Sequence, residues 1–292
     1  MKPEVAMRRW MLAPALLLFA AVAVLPIAEL VAMSLVRIDW IQGKAQWQYV
    51  GLSQYARVFG DPLFRAGAFN TLLFAAGAVF AQMVLGFGLA LMTTRITRGR
   101  VLYRTVFLLP ILVPGIVIGA MWKLMYNFDF GFLNQMLGVF GMASVDWLGN
   151  GATALLSVIA VDVWHWTPFV FLLMLAGLES LPTDVYEAAR VDGATFWQEL
   201  RHVTLPLMLP TIVVTLVFRL IVSVKVFDEI YLLTGGGPGT ATEVVSYTIH
   251  RRFFTEGQMG YGSAMSIVVL FVLALAFILA RAAAIRLREA EG

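Results

Sequence analysis

Residues 66–94 read AGAFNTLLFAAGAVFAQMVLGFGLALMTT and contain no Asp, Glu, Lys or Arg. A helix that crosses the hydrocarbon core of a bilayer needs about 20 predominantly apolar residues, and this stretch exceeds that length. Residues 105–122 and 257–280 are equally free of these four residue types. Because every backbone polar group in lipid must be satisfied within the chain, such runs predict membrane-spanning helices.

The composition of the whole chain agrees with this prediction. Its 292 residues are 60% hydrophobic and 13% charged, and the mean hydropathy is +0.83. These values exclude an ordinary soluble domain. The net charge of +3 does not indicate nucleic-acid binding, because Lys and Arg lie at the ends of apolar segments and not along one polar face. The absence of cysteine excludes disulfides and thiolate metal sites.

Six segments near the spanning length predict an all-α, polytopic membrane helical bundle. The predicted spans are about 10–36, 70–94, 105–125, 152–178, 205–226 and 263–282. They make a single transmembrane domain over residues 10–284, with short tails at 1–9 and 285–292. No internal repeat is visible, which favours a second, similar chain as the other half of a symmetric pathway.

The distribution of Lys and Arg predicts the orientation of the bundle, because cytoplasmic loops carry an excess of both. One side has twelve: Lys2, Arg8, Arg9, Arg95, Arg98, Arg100, Arg104, Arg190, Arg201, Arg281, Arg286 and Arg288. The other side has six: Arg37, Lys44, Arg57, Arg65, Arg251 and Arg252. Both termini and the loop 179–204 are therefore predicted to be cytoplasmic. A cleaved signal peptide is the alternative for the N-terminal run, which is long for a signal core.

The loop 179–204 has the pattern of two short helices joined by a turn. Thr183 is placed to cap the first helix, with Asp184 in its first turn, where the helix dipole favours a carboxylate. Gly193 supplies a turn without a side-chain penalty. Thr195 and Gln198 then have the spacing of a capping box. Judged from these features alone, a connector that contacts nothing remains the alternative to a docking surface.

A longer pattern in this loop resembles the EAA loop of permease subunits in bacterial type I ABC importers. It comprises Glu187-Ala188-Ala189, then three residues and Gly193, and finally Leu205-Pro206. Val203 replaces the usual Ile and is the one departure. Further segments resemble the sugar and polyol branch of these permeases: Asn70-Thr71, Phe107–Pro110, Val163–Phe169 and Phe227–Gly239.

The resemblance implies how the chain works and what it works with. Glu187, Ala188, Ala189, Gly193, Leu205 and Pro206 would couple the spans to a cytoplasmic ATPase. The implied partners are a second homologous permease chain, two cytoplasmic nucleotide-binding ATPase subunits and an extracytoplasmic solute-binding protein. Mg²⁺ and ATP would be bound by the ATPase subunits, and this chain would need no cofactor. It would lie among the lipids of the bacterial inner membrane as a multi-pass subunit that imports a sugar or polyol and performs no covalent chemistry.

Ionisable and aromatic residues in the spans are the candidates for a substrate pathway. Sugar rings pack on aromatic faces, whereas charged groups in lipid normally face a bundle interior or water. The candidates are Trp122, Tyr126, Trp164, Trp166, Arg219, Lys225 and Asp228. Bundle packing, an interfacial aromatic belt and structural ion pairs are the alternatives. Lys225 and Glu229 are four residues apart and are expected to pair if their helix is continuous.

Other functions remain as alternatives or are excluded. The cationic residues Arg219 and Lys225 leave room for an anionic cargo such as a glycerol phosphate. A proton-coupled secondary transporter could use Asp162, His165 and Arg219 as a relay. The run Gly235–Gly239 lacks the lysine of a phosphate-binding Walker loop and predicts a tight extracytoplasmic turn. No metal-ligand spacing and no catalytic constellation is present in the sequence.

Overall fold

The computed structural model describes residues 3–42, 44–94 and 99–291. Three basic residues used for the orientation, Lys2, Arg95 and Arg98, lie outside the described residues. The chain forms two compact units, one from residues 1–65 and 248–292 and the other from residues 66–247.

The described elements are almost all helical. In chain order they are α1 (Pro3–Ser34), β1 (Val36–Ile41), β2 (Lys44–Tyr49), α2 (Ser53–Gly60), α3 (Pro62–Thr94), α4 (Arg100–Leu108), α5 (Gly115–Met125), α6 (Phe132–Val139), α7 (Gly151–Glu179), α8 (Thr183–Val191), α9 (Phe196–Glu199), α10 (Leu205–Val224), α11 (Asp228–Leu233), α12 (Val245–His250) and α13 (Met259–Glu291). A 3₁₀ turn covers Pro110–Leu112, and π-helical turns cover Leu200–Thr204 and Arg251–Thr255.

The first unit is built from the two ends of the chain. Helix α1 packs along α13, and α13 also contacts α2 and β1. The sequence did not predict strands β1 and β2, which form an antiparallel hairpin with Ile38 opposite Trp47. Helix α13 runs to Glu291, so the residues predicted as a C-terminal tail continue the helix. Ala, Arg, Leu and Glu dominate that stretch and are strong helix formers.

Among the described residues, five helical segments are long and apolar enough to cross a membrane. They are Met11–Ser34, Pro62–Thr94, Gly151–Glu179, Phe196–Leu233 and Met259–Ile278. A sixth crossing results if the bent pair Arg104–Leu112 and Gly115–Met125 forms one span. The predicted fold class, an α-helical polytopic membrane protein, is confirmed.

The third predicted span is not a straight helix, because its two halves meet at 96°. Pro110 opens the 3₁₀ turn, and Pro114 precedes α5. Proline lacks a backbone N–H and disfavours the helical conformation in the residue before it. Val113, just before Pro114, is accordingly extended at φ −83° and ψ 126°. The two prolines therefore account for the bend.

The fifth predicted span is longer and less regular than the sequence indicated. The apolar helical segment covers 38 residues, Phe196–Leu233. Its first part contains the π-helical turn Leu200–Thr204, directly before Pro206 near the start of α10. Its last part is interrupted after Val224, where α10 ends, and resumes at Asp228. This second interruption places polar residues near the end of the segment.

The core of the second unit joins residues from α3, α5, α7 and α11. Phe74 of α3, Ile118 of α5 and Ile230 of α11 are fully buried in this cluster. Val158 and Val161 of α7 complete its centre. Helix α11 packs against α5 and α7, and α10 packs against α7. These contacts fix the helices that carry the candidate functional residues.

Candidate functional site: an exposed hairpin and a buried polar cluster

Helix α8 is the first half of the loop singled out by the sequence. Pro182 occupies the N-cap position and provides no side-chain hydrogen bond, so the prediction that Thr183 caps this helix is wrong. Thr183 lies one residue later and its hydroxyl donates to Asp184 at 3.4 Å. Asp184 in the first turn and Arg190 in the last turn both complement the helix dipole.

The turn after α8 depends on the backbone conformation of Gly193. Its φ is +76°, a left-handed conformation that costs other L-residues roughly 1–2 kcal/mol. The Gly193 N–H donates to Arg190 O at 3.1 Å, and the Ala194 N–H donates to Ala189 O at 2.9 Å. This pair of bonds is a Schellman motif, which satisfies the last carbonyls of the helix. A Cβ on Gly193 would meet nothing within 4 Å, so the requirement is purely one of backbone conformation.

Three interactions stabilise the hairpin, and one of them reaches the turn before α10. The predicted capping box of Thr195 and Gln198 is present at the start of α9, with the Thr195 N–H donating to Gln198 Oε1 at 2.7 Å. The Tyr186 hydroxyl donates to Thr204 Oγ1 at 3.1 Å. Arg190 Nε lies 3.5 Å from Glu199 Oε2. These contacts join α8 to α9 and to the turn that precedes α10.

The surface of the hairpin is exposed at the residues that the sequence assigned to coupling. Glu187, Ala188, Gly193, Leu205 and Pro206 are exposed, and Ala189 is half-buried. The sequence analysis missed two large apolar side chains on the same hairpin: Val191 is 87% exposed and Trp197 is 73% exposed. An exposed tryptophan in a polar loop is typical of a protein interface, and its position within the Glu187 loop was the signal that could have identified it.

A cluster of buried polar side chains lies within the spans of the second unit. Arg219 of α10 is fully buried, 0% exposed. Its Nε donates to Gln82 Oε1 of α3 at 2.8 Å, and its Nη2 donates to Asp162 Oδ2 of α7 at 3.1 Å. Gln82 Nε2 also donates to Asp162 Oδ2 at 2.7 Å. Because removing charges from water is costly unless they are paired and hydrogen-bonded, this cluster holds three spans in one arrangement.

Neighbouring groups extend this cluster. Ser223 accepts a second bond from Arg219 Nη2 at 3.1 Å, and the Trp166 ring lies 4.5 Å from the Arg219 guanidinium carbon in a cation–π contact. His165 Nδ1 lies 3.4 Å from Glu229 Oε1. The expected pairing of Glu229 with Lys225 is wrong, because α10 ends at Val224 and the two residues do not share a continuous helix.

The other pathway candidates fall into two places. Trp122, Tyr126 and Trp164 form an aromatic group, with Trp122 at 5.3 Å from Tyr126 and 5.6 Å from Trp164 between ring centroids. Tyr126 is buried and its hydroxyl donates to Ser157 O at 2.9 Å, so this group packs within the bundle. Lys225 and Asp228 are exposed at the interruption between α10 and α11. For all of them a role in transport stays a prediction.

No cluster of three His, Cys, Asp or Glu side chains suited to a metal ion occurs in residues 3–42, 44–94 and 99–291. The fold and the exposed hairpin define a multi-pass, α-helical membrane protein with an exposed polar hairpin between two spans. The chain belongs to the family described as binding-protein-dependent transport system inner membrane component, whose model matches residues 82–289.

Two curated relatives indicate the breadth of the similarity. The trehalose/maltose transport system permease protein MalF of Thermococcus litoralis is 41% identical over 229 residues, which cover 78% of this chain and 77% of the relative. The sulfoquinovosyl glycerol transport system permease protein SmoG of Agrobacterium fabrum is 33% identical over 265 residues, which cover 91% of this chain and 85% of the relative. The resemblance to ABC importer permeases is confirmed, and with it the prediction of a non-catalytic transport subunit.

The similar solved structures also come from an ABC transporter. A chain from the crystal structure of a bacterial ABC transporter involved in the import of the acidic polysaccharide alginate has a TM-score of 0.84 and 26% identity, with 97% of this chain and 98% of that chain covered. The alginate transporter in complex with an alginate pentasaccharide-bound periplasmic protein gives a TM-score of 0.80 at 26% identity, with 93% and 94% covered.

Proposed function

We propose that this chain forms half of the translocation pathway for a sugar or polyol in an ATP-driven importer of the bacterial inner membrane. Family membership supports the transport role. The substrate class is supported by relatives whose names specify trehalose/maltose and sulfoquinovosyl glycerol, and by a structural neighbour that imports alginate.

The observation that carries the coupling mechanism is the rigid, exposed hairpin of α8 and α9. Glu187, Ala188 and Ala189 form the docking face for a cytoplasmic ATPase subunit, and Gly193 sets the angle of α8. Closure of two ATPase subunits around ATP and Mg²⁺ displaces α8. The Tyr186–Thr204 and Arg190–Glu199 contacts pass that displacement to α10. The two global states of the bundle are then biased by nucleotide at one end and by solute at the other.

The remaining partners complete the pathway. A second, homologous permease chain provides the other half, and an extracytoplasmic solute-binding protein delivers the cargo; a periplasmic protein is part of the alginate complex. The excess of Lys and Arg supports a cytoplasmic position for both termini and α8. The interruption after α10 then lies towards the extracytoplasmic side, because α10 leads away from the α8–α9 hairpin.

The balance of charge favours a neutral carbohydrate over an anionic cargo. Arg219, the most deeply placed cation of the span, is paired with Asp162, so its positive charge is already compensated. Lys225 has Asp228 three residues away, so the exposed charges at the end of α10 also balance. A neutral sugar or polyol needs hydrogen-bond donors and acceptors of both kinds, which this pair provides.

Reconstitution of the assembly tests the proposal. The tagged chain is purified in mild detergent from its native membrane with its bound subunits, reconstituted into liposomes and assayed for ATP-dependent uptake of radiolabelled trehalose, maltose, sorbitol and glucuronate. We expect an ATPase and a second permease to co-purify and a neutral compound to be taken up. A chain that purifies alone and accumulates sugar on a proton gradient would instead establish the secondary transporter.

A further inference from the structure

The interruption of the fifth span exposes two charges at the far end of α10 from the hairpin. Helix α10 ends at Val224, and α11 begins at Asp228. Lys225 and Asp228 are both exposed. Within the part of the chain that the structure describes, neither side chain makes a hydrogen bond or an ion pair. Exposed charges at the end of an apolar span are candidates for contact with a solute.

Three aromatic rings gather beside these charges. The rings of Phe227 and Tyr231 are stacked, with centroids 5.4 Å apart and an interplanar angle of 21°. Tyr247 of α12 lies 6.3 Å from Phe227 and 6.2 Å from Tyr231. Tyr231 is 50% exposed. We call these three residues the aromatic platform.

The glycine-rich loop after α11 packs against the Tyr247 ring of the aromatic platform. A Cβ on Gly236 would lie 3.1 Å from Cε1 of the Tyr247 ring, so the absence of a side chain lets the ring lie against the loop backbone. Gly236 also has φ +85°. The loop is itself fixed, because Thr242 Oγ1 donates to Gly237 O at 2.7 Å and Asn70 Nδ2 donates to Thr240 O at 2.8 Å. The platform is therefore preorganised.

Asp228 lies close to the start of α5. A Cβ on Gly115 would lie 2.8 Å from Asp228 Oδ2, so the glycine lets this carboxylate lie close to the first turn of α5. Ser246 also donates a hydrogen bond to Val226 O, which fixes the backbone between Lys225 and Phe227. Lys225, Phe227, Asp228 and Tyr231 thus lie in one short stretch of chain, with Tyr247 packed beside it.

We propose that the aromatic platform, Lys225 and Asp228 form a sugar-binding subsite on the extracytoplasmic side of the pathway. This inference rests on the proposed function and specifies where the cargo is first held. The apolar face of a pyranose packs on Tyr231, the Asp228 carboxylate accepts hydrogen bonds from hydroxyl groups, and the Lys225 ammonium donates to a hydroxyl or ring oxygen. The subsite selects a neutral ring with one apolar face and equatorial hydroxyls.

An interfacial aromatic belt is the competing explanation for an exposed tyrosine at the end of a span. A belt residue anchors the helix against the headgroups and makes no contact with cargo. Its removal lowers the thermal stability of the assembly and leaves the KM for uptake unchanged. Removal of a binding residue raises the KM for uptake and leaves the thermal stability unchanged, so the two roles are separable by measurement.

The absence of cysteine from the chain allows the subsite to be tested by labelling. Lys225→Cys keeps the rings and the carboxylate, and Phe140→Cys provides a control residue that is 71% exposed at the end of α6. Each variant is assembled with its partner subunits and treated with a membrane-impermeant methanethiosulfonate from the extracytoplasmic side, with and without saturating trehalose, maltose or sorbitol. We expect the transported compound to slow labelling of Lys225→Cys and to leave Phe140→Cys unchanged. Equal labelling of Lys225→Cys with and without that compound would overturn the proposal.

Uptake kinetics provide the second test. Tyr231→Ala is expected to raise the KM of the transported compound about tenfold, whereas Tyr231→Phe, which keeps the ring, stays near the wild-type KM. Phe140→Ala is the matched control and changes neither parameter. An unchanged KM in Tyr231→Ala, together with a lowered Tm, would assign the ring to the belt and overturn the subsite. Uptake of none of these compounds by the wild-type assembly would instead refute the proposed function, and the subsite with it.

Discussion

The α8–α9 hairpin and the Arg219 cluster are both polar regions of an apolar chain, but they are organised in opposite ways. The hairpin satisfies its backbone groups locally, through the Schellman motif and the capping box, and leaves side chains such as Glu187 and Trp197 exposed. In the cluster, Arg219, Asp162 and Gln82 hydrogen-bond to one another, and all three side chains are buried. The first arrangement is suited to meeting a partner, and the second to holding three spans together.

This difference predicts where a substitution is felt. A change in the hairpin alters the coupling to another subunit while the bundle remains folded. A change in the cluster leaves a buried charge without its counterpart, and the bundle itself loses stability. The four predictions that follow test this division, each with a readout that distinguishes folding from coupling.

The largest effect is expected from Arg219→Met. Removal of the guanidinium leaves Asp162 buried with Gln82 as its remaining hydrogen-bonding side chain, and breaking a buried pair in this way costs roughly 3–5 kcal/mol. We expect a large fall in the Tm of the purified chain in detergent. The double variant Arg219→Met with Asp162→Leu removes both charges and is the control, which should recover most of the stability. A single variant as stable as the wild type would show that the cluster does not hold the spans.

The second effect concerns coupling and is tested at Gly193. Gly193→Val places a β-branched residue at a φ of +76°, which such residues strongly disfavour. Gly193→Asn is the matched control, because asparagine tolerates the left-handed region. Since a Cβ would meet nothing within 4 Å, any difference between the two variants reports the backbone alone. We expect Gly193→Val to reduce ATP-dependent uptake at least about tenfold, with unchanged Tm. Equal uptake by the two variants would remove Gly193 from the coupling mechanism.

The local structure of the hairpin could be predicted from the sequence, whereas the side-chain pairing in the cluster could not, for a physical reason. The turn at Gly193 and the capping box of Thr195 are local, so the residue types and their spacing are sufficient to predict them. The apolar runs likewise predicted the spans through their length. By contrast, no local pattern pairs Gln82 with Arg219, which lie 137 positions apart. The predicted pairing of Lys225 with Glu229 was wrong because a helix break separates the two residues. The apolar sequence gave no sign of this break.

The bend of the third span has a related explanation. Pro110 and Pro114 were both visible in the sequence, but one proline in a membrane helix is tolerated with a modest kink. Two prolines four residues apart remove two backbone donors and force Val113 into an extended conformation. The sequence therefore indicated a disturbance, and its magnitude of 96° arises from the combination of both residues.

A smaller effect is expected from Trp197→Ala on the hairpin. The side chain is 73% exposed, so its removal should leave the Tm unchanged. If it contacts the ATPase subunit, affinity for that subunit should fall about fivefold, because exposed aromatic residues are enriched among those that dominate interfaces. The measurement is the Kd between the immobilised permease assembly and the purified ATPase subunit.

The control for this prediction is another exposed tryptophan far from the hairpin in the sequence. Trp47 of β2 is 63% exposed, and Trp47→Ala should leave the Kd for the ATPase subunit unchanged. A lower affinity in both variants would indicate a general effect of removing surface aromatics. Unchanged affinity in Trp197→Ala would restrict the docking face to Glu187 and the alanines that follow it.

The smallest effect is expected for the ion pair between Arg190 and Glu199, because most of the Arg190 side chain is in solvent. Its side chain is 68% exposed, and Nε lies 3.5 Å from Glu199 Oε2. Exposed pairs of this kind contribute less than about 1 kcal/mol. Arg190→Gln should therefore leave the Tm unchanged and reduce uptake by less than about twofold, because the Tyr186–Thr204 bond still joins α8 to the base of α10.

Tyr186→Phe combined with Arg190→Gln removes both links, and the loss of uptake should then exceed the product of the two single losses. If the two losses simply multiply, the two links act independently of each other. If the double variant takes up solute like the wild type, α8 transmits its displacement through the chain connection alone.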